Sequence, residues 1–172
     1  MHRRIAVTAL VLSVLLTGVS DLQAQRSGFI IGFGIGAGLT SVADAGTRGG
    51  VATDFKIGAQ VNPSLQVYYL GRSNWFTLGG SSNLVITGIS AVGATYLPSP
   101  KVQLSGGVGV FTWTEFFGVQ EFGAETLAGF GLTGGVGYEF ADLWLLDVAV
   151  THGWLEGVGV FEARAGISIL SH

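Results

Sequence analysis

The chain has 172 residues, a formal net charge of −3, and only 11% charged against 48% hydrophobic residues. With 8 Lys and Arg in all, it lacks the basic surface that phosphate binding needs, which excludes nucleic acid as a partner. It contains no cysteine, which excludes a disulfide scaffold, a thiolate metal centre and a catalytic thiol.

The N-terminus has the anatomy of a secretory signal peptide. His2-Arg3-Arg4 is basic, Ile5 to Val19 is apolar, and Ser20 to Ala24 leads to a cut after Ala24. The apolar run holds 15 residues, short of the ~20 needed for a spanning helix. Residues 1–24 are therefore read as the signal and 25–172 as one exported domain.

From there the hydrophobic period is two, the signature of β-strands. In 28–39, Phe29, Ile31, Phe33, Ile35, Ala37 and Leu39 share one face and glycines fill most of the other. In 51–61, Val51, Phe55, Ile57 and Val61 oppose Asp54, Lys56 and Gln60. In 64–72, Leu65, Val67 and Tyr69 oppose Gln66, Tyr68 and Arg72. Residues 84–97 alternate poorly, and Tyr96 is assigned to the inward face. In 101–113, Val102, Leu104, Val108 and Val110 oppose Gln103, Ser105, Gly107 and Gly109. In 126–140, Phe130, Leu132, Val136, Tyr138 and Phe140 oppose a row of glycines with Thr133 and Glu139. In 143–152, Trp144, Leu146, Val148 and Val150 oppose Asp147 and Thr151. In 158–170, Phe161, Ala163, Ala165, Ile167 and Ile169 oppose Glu162, Arg164 and Ser168.

The connections alternate in length. Those at 62–64, 98–100 and 141–142 are tight and built from turn formers, whereas 40–50, 73–83 and 114–125 read as loops of about a dozen residues and 153–156 as a shorter one. Short turns on one side and longer loops on the other describe a transmembrane antiparallel up-and-down β-barrel of eight strands. Tyr138, Phe140 and Trp144 then mark the short-turn interface, and Trp75, Phe76, Trp113 and Trp154 the other. A soluble lipocalin-like barrel would reverse the faces. Here the non-apolar face carries too few charges and too many glycines to meet water, and a Lys or Arg facing mid-bilayer lipid costs roughly 2–4 kcal/mol.

On these features the chain resembles the small eight-stranded outer-membrane barrels of Gram-negative bacteria, the group of OmpX and the OmpA transmembrane domain. The resemblance covers the whole exported part. It implies residence in the bacterial outer membrane, contact with its lipid and lipopolysaccharide, and insertion by the barrel-assembly machinery. It also implies an aromatic residue at the end of the last strand, where this chain reads Ile169-Leu170-Ser171-His172.

An eight-stranded interior is just wide enough for side chains to fill, so the inward charges Asp54, Lys56, Arg72, Asp147, Glu162 and Arg164 must form a network. A three-residue turn at 62–64 sets Val61 opposite Leu65 and Asp54 opposite Arg72. A loop at Gly153–Glu156 sets Asp147 opposite Glu162, with Arg164 between these two carboxylates. Such a network is either a structural plug or a selective pore. Gly32, Gly34, Gly36, Gly107, Gly109, Gly129 and Gly131 form a side-chain-free inner wall. Either inward residues such as Tyr68, Tyr96 and Phe111 fill that room, or it is a cavity.

Gly32-Phe-Gly34-Ile-Gly-Ala37 and Gly129-Phe-Gly131-Leu-Thr-Gly134 match the dinucleotide fingerprint, but no helix follows either, so both are set aside. No nucleotide, metal or other cofactor is expected. His152 lies near the outer rim, where some barrels modify lipid A with a histidine and a serine. The surrounding VTHGWLEGVGVFE has no serine, and Thr151 points to the other face. Phe116, Phe117 and Phe122 in the 114–125 loop are candidate contacts for an extracellular partner. The favoured function is a non-enzymatic outer-membrane barrel with a structural or surface-interaction role. A small channel for ions or hydrophobic molecules is the first alternative and a lipid A-modifying enzyme the second.

Overall fold

The computed structural model describes residues 28–42, 46–78, 83–117 and 123–171. The signal segment 1–24, Phe122 and His172 lie outside the described residues. The rest is eight strands: β1 (Gly28–Val42), β2 (Gly46–Asn62), β3 (Leu65–Thr77), β4 (Leu84–Ser99), β5 (Val102–Phe117), β6 (Gly123–Ala141), β7 (Trp144–Leu155) and β8 (Val158–Ser171). Each is antiparallel to the next, and β8 pairs with β1 from Ile31↔Ser171 to Val42↔Val160, closing the barrel. Closure removes the unpaired edge that a lipid-embedded sheet could not tolerate.

Period two decides which side chain meets which medium. Phe29, Phe33, Ile35 and Leu39 of β1 are more than half exposed, while Ile30 on the alternate parity is fully buried. The same holds around the wall, with Val67, Val92, Val108, Phe130, Val148 and Ile167 all facing outward. Every Asp, Glu, Lys and Arg within the described strands falls on the inward parity. A water-soluble barrel would carry the opposite arrangement. This exterior is made for lipid.

The β4 faces, ambiguous in sequence, are fixed by the ladder. Val85, Thr87, Ile89, Ala91, Thr95 and Leu97 are buried inward. Tyr96 is 45% exposed and points outward between Leu65 and Leu104, so it does not fill the interior. Phe76 and Trp113, expected at the lipid interface, instead pack edge-to-face inside the barrel with centroids 5.8 Å apart. Trp75 and Trp154 do face outward.

The expected long loops are mostly strand. The ladders continue to Val42↔Gly46, Thr77↔Leu84 and Phe117↔Gly123. Their polar residues pair across strands, as in Thr114–Thr126 at 3.1 Å, Thr47→Ser41 at 3.2 Å and Trp75 Nε1→Thr53 Oγ1 at 2.9 Å. β6 reaches 19 residues and β2 reaches 17, whereas about 9–11 suffice to cross a bilayer. The hairpins opposite the tight turns therefore stand clear of the lipid.

Register follows from the turns. The β2–β3 connection is the pair Pro63-Ser64 with a bulge at Val61, so Asn62 and not Val61 faces Leu65. The bulge compensates for the shorter turn, and Asp54 still lies opposite Arg72. The β7–β8 connection is Glu156-Gly157, at φ 47° and 87°, a left-handed pair suited to a two-residue hairpin. Its centre lies two residues beyond that of the expected loop, which moves the ladder: Asp147 faces Gly166, and Glu162 faces Thr151.

Candidate functional site

The barrel interior is built in layers. At the tight-turn end, Gln66 Nε2 donates to Gln60 Oε1 at 3.1 Å, and Gln60 Nε2 to the Asn62 carbonyl at 2.8 Å. Tyr68 donates its hydroxyl to the Ala94 carbonyl at 2.9 Å, and its ring lies 4.5 Å beneath the Lys56 ammonium.

Above this floor is the charge cluster. Arg164 reaches across β1 to form a salt bridge with Asp54, donates to the Thr53 carbonyl at 3.0 Å, and holds its Nε 3.9 Å from Asp147 Oδ2. Ser168 donates to the other Asp147 oxygen at 3.1 Å. Arg72 makes no salt bridge to Asp54, its ladder neighbour; its Nη1 donates to Thr133 Oγ1 at 2.8 Å. An arginine does stand between two carboxylates, but these are Asp54 and Asp147. Glu162 belongs to a separate layer, where it accepts from Thr87 and, at 3.3 Å, from Thr40, with Asn74 donating to Thr40 at 3.2 Å. The four-residue shift of the β7–β8 ladder puts it there.

Beyond that layer the interior turns apolar. Ile89, Ala91, Phe111, Leu155 and Val160 form a buried cluster, with Val42, Trp113 and Leu127 packed against it. Past the cluster, a recess of about 380 Å³ opens at the hairpin end, lined by Val42, Leu78, Trp113, Leu127, Leu155 and Val160 among others.

The inner glycines leave no channel. A methyl group on Gly32 would meet Leu170 Cδ1 at 2.8 Å, and one on Gly34 would collide with the Asp54 carboxylate and the Ser168 hydroxyl. On Gly131 it would sit 2.9 Å from Ile89 and 3.0 Å from Phe111, and on Gly107 3.0 Å from the Val92 carbonyl and 3.5 Å from the Thr133 methyl. The room is taken by side chains from other strands. At Gly36, Gly109 and Gly129 the obstacle is a backbone carbonyl of the adjacent strand, from Ala165, Ser90 and Trp154 respectively. Glycine there permits the close strand approach of a tightly coiled wall.

Phe116 and Phe117 lie on β5 and not in a loop, and Phe116 is 40% exposed on the outward face. His152 also points outward, edge-on to Trp154 at 4.2 Å, while Thr151 points inward and donates to Thr133 at 3.1 Å. The two do not converge. Among the described residues, no group of three or more His, Asp or Glu could hold a metal ion.

No protein-family model matches the sequence, and no curated protein matches it. Solved structures do. Ail, the attachment invasion locus protein of Yersinia pestis, crystallised with the heparin analogue sucrose octasulfate, superposes with a TM-score of 0.66 at 13% identity, covering 83% of this chain and 99% of that one. Neisserial surface protein A gives 0.58 at 17% identity over 84% and 97%. The outer membrane protein OprG of Pseudomonas aeruginosa gives 0.52 at 15% identity over 88% and 100%. This is the fold of small outer-membrane β-barrels. At such identities the likeness is one of fold alone.

Thr40, Asn74, Thr87, Thr133 and Thr151 are interior residues that sequence reasoning did not single out. Inward parity was their signal on the strands whose faces were clear. Which of them touch depends on which strands face each other across the closed barrel, and no local pattern carries that.

Proposed function

We propose that the chain, exported by its N-terminal segment 1–24, resides in the bacterial outer membrane as a non-conducting barrel whose outer hairpins form a contact surface. The observation that carries this reading is the filled interior. The Arg164–Asp54 salt bridge, the Glu162 layer and the Phe111 cluster lie one above another along the barrel. The uncharged, apolar outer wall supports contact with phospholipid and lipopolysaccharide along the belt, after insertion by the barrel-assembly machinery.

The hairpin rim suits an extracellular partner, with Phe116 as one of its exposed apolar groups. Its described charges are Glu115, Glu125 and Glu156 against Arg48. An acidic rim is a poor match for a sulfated polyanion of the kind bound to Ail, and a neutral or cationic surface fits it better. The reading assigns no catalysis, since His152 faces Trp154 on the outside while the adjacent hydroxyl of Thr151 faces in.

Planar-bilayer recording on refolded protein tests the reading. A silent barrel is expected; discrete, reproducible openings would overturn it. Mass spectrometry of lipid A with and without expression is expected to give identical spectra.

A further inference from the structure

Three cationic side chains share the charge cluster with two carboxylates. Asp54 and Asp147 are both engaged by Arg164, and Asp147 also by Ser168. Arg72 donates to the neutral Thr133, and Lys56 lies over the face of Tyr68; among the described residues neither makes a salt bridge. Glu162 lies in the next layer, held by Thr87 and Thr40. The three cations and two carboxylates of this cluster sum to one positive charge, beside a cavity of about 30 Å³ whose lining includes Lys56, Arg72, Gln103, Ser105, Asp54 and Asp147. That volume takes about two water-sized bodies.

Two donors on this lining are unused within the protein. Gln103 is 2% exposed and Arg72 6% exposed, and neither Gln103 Nε2 nor Arg72 Nε makes a hydrogen bond. Leaving such groups unmatched, beside a buried surplus charge, is costly. Water could use the donors, and also Asp147 Oδ2, which accepts no hydrogen bond, but would leave the charge in place.

We infer that this cavity is a binding site for one small monovalent anion, of the chloride class, held by Lys56, Arg72 and Gln103. A halide is close to water in size, carries the missing negative charge and accepts from N–H donors. Multiatomic organic anions are too large for the space.

The test is urea unfolding of the refolded barrel in lipid bilayers, at constant ionic strength, with chloride or bromide exchanged for gluconate. Halide should stabilise saturably: at ten times the half-saturating concentration, the folding equilibrium shifts about tenfold towards the folded barrel. Lys56→Met, which removes the surplus charge, should abolish the dependence, and Lys101→Met, at a turn, should keep it. Where Lys56→Met does not refold, Gln103→Glu serves, since it sets a carboxylate in the site and should also abolish halide stabilisation. Bromide anomalous scattering from crystals should place one ion between Lys56 and Gln103. Equal midpoints in halide and gluconate would overturn the inference, showing water in the cavity or an uncharged Lys56. So would an equal halide response in Lys56→Met, which marks a bulk salt effect.

Discussion

The two ends of the barrel interior solve the same packing problem with opposite chemistry. Towards the tight turns the filling is glutamine, lysine, arginine and aspartate, tied by hydrogen bonds and the two salt bridges of Arg164. Towards the hairpin rim it is Ile89, Phe111, Leu155 and Val160, packed against Trp113 and Leu127. In a soluble protein the apolar half would be the core and the polar half its surface. Here both halves are core, because lipid surrounds the wall. Polar filling fixes which strands face each other, since an unmatched charge is penalised heavily. Apolar filling supplies close packing and tolerates small shifts.

Breaking the polar half should have the largest effect. Arg164→Leu strips the partner from Asp54 and Asp147 and should cost about 3–5 kcal/mol, read as a lower urea midpoint in bilayers. In the apolar half, Ile89→Ala opens space beside Gly131 and should cost about 2–4 kcal/mol. Thr87→Val removes one of the hydroxyls that donate to Glu162 and should cost about 1.5–3 kcal/mol, with retained barrel mobility on unheated gels. Gly153→Ala drives a methyl into the Phe111 ring and should cost about 1–3 kcal/mol. Paired with Phe111→Leu, its cost should fall below the sum of the two single effects, because both changes act on one contact. If polar and apolar variants were equally mild, the interior would not be the packed plug described above.

The wall was legible in the sequence and the filling was not. Alternation in residues such as 129–140 names the lipid-facing side directly, because bilayer and interior impose different chemistry on adjacent residues. The Asp54–Arg72 register was legible through a compensation, since the bulge at Val61 and the two-residue turn together imitate a three-residue loop. The β7–β8 register was lost because Glu156 adopts a left-handed conformation more usual for asparagine or glycine. With that went the position of Glu162. A polar strand residue such as Thr114 read as loop, although it pairs with Thr126 across the β5–β6 ladder.

Arg164 sits on the last strand to be made, and its partners sit on the second and the seventh. Asp147 lies on the neighbouring strand and can meet Arg164 once the β7–β8 hairpin forms, whereas Asp54 lies beyond β1, across the closing seam. Zipping the final seam brings Arg164 to Asp54 as well. An open intermediate is thereby disfavoured, and the completed ring is favoured by a bond that no partial ring can make. The residue that holds the interior together also ties the last strand to the second across the seam.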